Sequence, residues 1–284
     1  MKTILLSDHS ELRLPEEWTE LQPKRRLQAA EWLCAVLAGQ MEPFEWQVHV
    51  LRLLTGYRPS RRQHIADVSN MVSYNLVRLA ETLTFAFSVD DETRTVQLRY
   101  DMYDCPVHLG GRRAWQPRFT RDRVISTNLT ARQYADGCDL LAMMQDASAD
   151  DRLWLMRKLT AVLWRTDDGM PLPNPTPGEL LLVTVWFTGV ALFWQQHPVY
   201  SVLYEKVESQ KSKVESTIRL GMSEILLELE QRGHHRAAEM LLTDFMDAQV
   251  KLLKDRLSDA RAHGATTADI VRTTGLSIDT VTRL

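Results

Sequence analysis

Apolar positions along this chain recur at two spacings, and the expected elements change where one spacing gives way to the other. Ile4, Leu5 and Leu6, the polar stretch Ser7, Asp8, His9 and Ser10, then Leu12 and Leu14 predict a short hairpin. Pro15 can open a helical turn carrying Glu16, Glu17 and Trp18, because a proline at the first helical position gives up no needed N–H. From Pro23 onward Leu27, Ala30, Cys34 and Leu37 follow helical spacing, and Gly39 suits the left-handed residue that ends a helix. The same punctuation returns from Pro43 to Gly56, with Phe44, Val48, Leu51 and Leu54 on one stripe. A longer helix is predicted over 61–82, its apolar face formed by Ile65, Val68, Val72, Leu76 and Leu79. The period then drops to two. Segments 83–87 and 95–100 alternate around Asp90, Asp91 and Glu92, which predicts a second hairpin, and 101–128 reads as loop or irregular strands.

Beyond residue 128 the pattern is helical. Thr130 and Gln133 form a capping box, the hydroxyl holding one orphan N–H and the amide reaching back to the cap residue's own N–H. Tyr134, Cys138, Leu141 and Met144 continue that helix, and another is predicted from about Asp150 to Trp164. Pro171, Pro173, Pro175 and Pro177 make a stiff connector. Thr176 and Glu179 then set a second capping box before the most apolar stretch, 180–194. At about 15 residues that stretch reads as a buried core helix, too short to span a bilayer. His197 and Pro198 end it. One long helix is expected over 199–232, polar from Glu205 to Glu215 and amphipathic through Ile218, Met222, Ile225, Leu226 and Leu229. Gly233 closes it, and another helix is expected over 236–263. The fold class is therefore mainly α, a multi-helix bundle with short β-hairpins in the N-terminal half. The expected organisation is an α+β part over 1–128, a helical domain over 129–264 and a C-terminal segment over 265–284.

Composition changes this picture little. The chain has 284 residues, 44% hydrophobic and 25% charged, which excludes wholesale disorder. A net charge of -3 offers no bulk attraction to nucleic acid. Cys34, Cys105 and Cys138 are odd in number and scattered, so they read as reduced thiols of a cytoplasmic protein, and no signal peptide or membrane partner is expected.

Candidate chemistry is sparse. Asp101, Asp104, Cys105 and His108 are all metal-ligating types in one short loop, but a zinc site shows two ligand pairs and only one is present. A polar loop with a buried cysteine is the competing reading. Gly110 and Gly111 before Arg112 and Arg113 lack the setting of a phosphate loop and read as a turn. His234 and His235 are adjacent, so on a helix they point about 100° apart and cannot form a zincin pair. No nucleophile elbow occurs. Acidic pairs such as Asp150 and Asp151 fall at helix starts, where the helix dipole favours them. Arg58, Arg61, Arg62, Arg112, Arg113, Arg118, Arg121 and Arg123 form either a solvated face or a phosphate-facing patch. Eight tryptophans exceed the usual share; most sit at core-like positions, and some could anchor a partner. We expect no catalytic residue, no resident cofactor and no metal.

Two resemblances sharpen the expectation. Ile270, Gly275, Leu276, Ser277, Val281 and Leu284 match the helix-turn-helix unit of DNA-binding proteins such as resolvases, with Val271 and Thr274 departing from it. That resemblance implies an outward, base-reading face made of Ser277, Ile278, Asp279, Thr282 and Arg283, which includes one acid and one base. More widely, Leu12–Leu21, Thr127–Asp136 and the segment Gly221–Gly233 resemble uncharacterised proteins of bacteriophage and prophage tail-gene clusters. Such proteins are tail-assembly or virion-morphogenesis factors. That resemblance implies a non-enzymatic helical protein acting through protein–protein contacts with phage structural proteins or with itself, in the cytoplasm or the virion. DNA binding by a mobile-element regulator is the alternative.

Overall fold

A computed structural model describes residues 1–5, 11–56, 77–90, 92–107, 109, 114–121, 124–166, 174–204, 226, 229–231, 236–274 and 276–284. The expected polar turn at 7–10, the helix over 61–76, His108, Gly110 to Arg113, the 205–225 segment and the His234–His235 pair lie outside these residues. The fold is mainly α, with short two-stranded antiparallel sheets. Its described part divides into two compact units, Met1–Gln116 with Arg165–Phe187, and Pro117–Trp164 with Thr188–Leu284.

In the first unit β1 (Lys2–Leu5) pairs with β2 (Glu11–Leu14), Ile4 opposite Leu12. The helical turn after Pro15 is a 3-10 turn over Trp18–Glu20, starting later than the proline suggested. The cause is local: the Glu20 carboxylate accepts the Glu16 N–H at 2.7 Å and also bonds the N-terminal amine. α1 (Pro23–Leu37) and α2 (Pro43–Thr55) follow, each with proline in its first turn, and Gly39 and Gly56 take the left-handed conformation after them.

A buried guanidinium organises this unit. Arg26 donates to Trp18 O at 3.0 Å, Leu21 O at 2.8 Å and Pro106 O at 3.0 Å, so one α1 side chain ties two loops to the helix. Trp46 of α2 donates Nε1–H to Ala29 O at 2.8 Å, and its ring meets Phe85 and Phe87 with centroids 5.6 and 5.0 Å away. The second hairpin, β3 (Phe87–Val89) with β4 (Val96–Leu98), is shorter than the period-two pattern predicted. Leu83, Phe85, Ala86 and Phe87 are all buried, so alternation begins only at Phe87. β5 (Ala114–Trp115) pairs with β8 (Arg165–Thr166), far along the chain.

In the second unit β6 (Phe119–Thr120) and β7 (Ser126–Thr127) form a minimal ladder before α3 (Ala131–Gln145). The Thr130–Gln133 capping box is present. α4 (Ala149–Leu163) packs on α3 and is capped by Ser148. The apolar helix α5 (Pro177–Gln196) opens with the Thr176–Glu179 box and shares its residues between the two units. It runs to 20 residues, so length alone does not separate it from a membrane span. In the structure 72% of its most apolar window is covered by protein.

Two helix boundaries differ from the pattern. No helix starts at 199; residues 198–200 are a turn and Ser201–Tyr204 is a 3-10 helix, where Tyr200 N and Ser201 N both bond His197 O. The helix expected from 236 begins at Leu242 as α6 (Leu242–Ala262). Residues 238–242 instead lie along the start of α3: Ala131 N donates to Met240 O at 2.9 Å, Arg132 N to Ala238 O at 3.0 Å, and Leu242 N to Leu129 O at 2.8 Å. The α3 N-terminus has unsatisfied N–H groups, and this segment, a run of turns rather than a helix, leaves its carbonyls free to supply them. The chain ends in α7 (Thr267–Thr274) and α8 (Ile278–Arg283).

Arg26→Met should lower stability by about 3 kcal/mol, since the buried Trp18 and Leu21 carbonyls and the part-buried Pro106 carbonyl lose a charged donor. Thermal and urea melts of the two proteins measure this, and an unchanged midpoint would show that the guanidinium is dispensable.

Candidate interaction surfaces

The polar loop after β4 comes closest to a chemical site. Asp101 Oδ1 is buried without a partner, and desolvation raises its pKa. The Cys105 thiol is also pushed up by burial, against the pull of the nearby Arg26 guanidinium. Sγ lies 3.8 Å from Pro106 O as a weak donor. Among the described residues no three His, Cys, Asp or Glu side chains converge as a metal cluster, and His108 lies outside them. Burial raises the Asp101 pKa, so its charged form is less favoured here than in water.

Other buried polar groups are engaged in structure. Tyr134 and Tyr204 share a 2.8 Å hydroxyl contact, and both phenols are pushed up by burial. Desolvation drives the Cys34 and Cys138 thiols up to about 12, so neither carries thiolate at neutral pH. Tyr200 donates to Asp247 Oδ1 at 2.6 Å, fixing the 197–204 turn to α6.

The second unit also exposes several large apolar side chains. The sequence pattern placed most of the eight tryptophans in the core without saying which. Trp18, Trp46, Trp164, Trp186 and Trp194 are indeed buried, whereas Trp154 on α4 is 54% exposed. Its neighbours one turn away on either side, Asp150 and Lys158, are exposed and charged, and Lys158 Nζ sits 5.2 Å from the indole centroid. That i−4/i+4 pair of charges was the available signal for an outward face. Leu153 and Met143 are exposed as well.

A second feature was not legible. A half-open cavity of about 540 Å³ lies between the Ser201–Tyr204 turn, α6 and α7. Leu252, Leu253 and Leu257 of α6, Val202 and Ile270 give it an apolar lining, with Gln249 and Arg256 on the same α6 stripe. Leu252 remains 41% exposed. The concavity arises where three separate segments meet, which local periodicity does not mark.

The C-terminal pair is built from its own caps. Thr266 accepts from Asp269 N at 3.2 Å while the Asp269 carboxylate accepts from Thr266 N at 3.2 Å, and Ser277 Oγ accepts from Thr280 N at 3.1 Å. Ile270, Leu276, Thr280 and Val281 turn inward, and Arg261 of α6 donates to Val281 O. Ser277, Ile278, Asp279, Thr282 and Arg283 all face solvent, Ile278 at 63%. The arrangement brings these five residues onto one surface with no concentration of positive charge.

Comparison with protein families, curated proteins and solved structures yields no match to this chain.

Asp101 sets a pH test. Its folded-state pKa is raised, so its contribution to stability is present below the unfolded value of about 3.9 and is lost as pH rises through the folded value. Asp101→Asn should therefore raise the melting temperature at pH 7 and leave it nearly unchanged at pH 3. Solvent screening at this half-exposed site keeps the gain under about 1 kcal/mol. Equal effects at both pH values would contradict the assignment.

Proposed function

We propose that this chain is a non-enzymatic assembly factor of the phage or prophage tail type, working through contacts with other proteins. The observation that carries this reading is Trp154, a large aromatic side chain held outside the core on a capped, well-packed helix, with Leu153 beside it. Aromatic anchors of this kind dominate binding energy at interfaces. The likeness of Leu12–Leu21 and Thr127–Asp136 to tail-cluster proteins supports the same direction. In the structure these segments hold β2 with the Trp18 turn and the capped start of α3, both parts of the scaffold. The polar groups buried around Arg26, Tyr134 and Glu179 hold backbone, caps or one another, which fits a protein selected for shape.

Co-expression with phage tail-tube and tape-measure proteins tests this. A stable complex is expected, and Trp154→Glu should weaken it by at least about thirtyfold, the hot-spot range. Absence of a complex with either protein, or one indifferent to Trp154→Glu, would defeat the reading.

The second reading, a DNA-binding regulator of a mobile element, is favoured by one observation. Ser277, Ile278, Asp279, Thr282 and Arg283 share the solvent face of α8 while Thr280 and Val281 hold its inner face. Electrophoretic shifts at about 50 mM salt, where non-specific affinity is greatest, address it. Under the assembly reading no shift appears; a shift abolished by deleting 265–284 would establish the DNA reading instead.

A further inference from the structure

We draw no further inference here: the strongest candidate, the half-open cavity between the Ser201–Tyr204 turn, α6 and α7 in the second unit, carries nothing because nothing in the structure shows what covers its apolar lining.

Discussion

The second unit depends on how the N-terminus of α3 is satisfied. A helix leaves its first N–H groups without intrahelical partners, and burying them unpaired is costly. Here the Thr130–Gln133 box handles the local donors, and the main chain of 238–242 supplies carbonyls to Ala131 and Arg132. That exchange joins segments more than 100 residues apart. It forces 238–241 to remain non-helical and so sets where α6 begins. Ala131, Ala135, Ala238, Leu226 and Phe245 then close a common core around the junction, small residues allowing the close approach. The Arg132–Glu230 ion pair lies on the same side. With its start held, α6 carries its Gln249-to-Ala260 stripe toward α7 and the 201–204 turn, and the cavity is the space those three leave.

Features that depend on neighbours in sequence were legible. Both hairpins, the two capping boxes, proline at the first turn of α1 and α2, and the glycine stops rest on interactions within about one turn, and each left a local mark. Boundaries set by distant partners were not. Nothing in residues 236–241 announces that their carbonyls serve another helix; the pattern continued smoothly into Phe245 and Val250 and suggested one uninterrupted element. The pairing of Ala114–Trp115 with Arg165–Thr166 is two residues long on each side, below what alternation can signal. The start of β3 was misplaced for a related reason: a run of consecutive buried residues looks like the beginning of a strand until tertiary contacts show that both faces are covered.

The helix-turn-helix resemblance implied an outward face made of five C-terminal residues, and all five are exposed. What spacing could not supply is whether that surface attracts phosphate. Asp279 and Arg283 oppose one another in sign, and Asp269 is paired with Arg272 on the helix before. Affinity for nucleic acid comes chiefly from neutralising phosphates, so geometry compatible with a groove is a weaker argument than the missing cations.

The apolar helix α5 shows how two physical criteria can diverge. Its 20 residues and mean window hydropathy of 1.4 match a bilayer-spanning segment. Periodicity offers no help, because a helix apolar on every side has no polar stripe, whether lipid or protein surrounds it. The side chains discriminate. Trp186 and Trp194 are buried mid-helix and near the end, and Trp194 is locked edge-on against Tyr200 at 4.6 Å, outside the helix. Glu179 is buried at the start, its carboxylate accepting the Thr176 N–H at 2.8 Å. Gly178 lets the Glu31 carboxyl approach so closely that a Cβ would sit 2.7 Å from it. These fixed polar and edge-on contacts mark flanks of α5 that are packed against protein. The same residues that make α5 look insoluble in isolation are the ones that specify what it packs against.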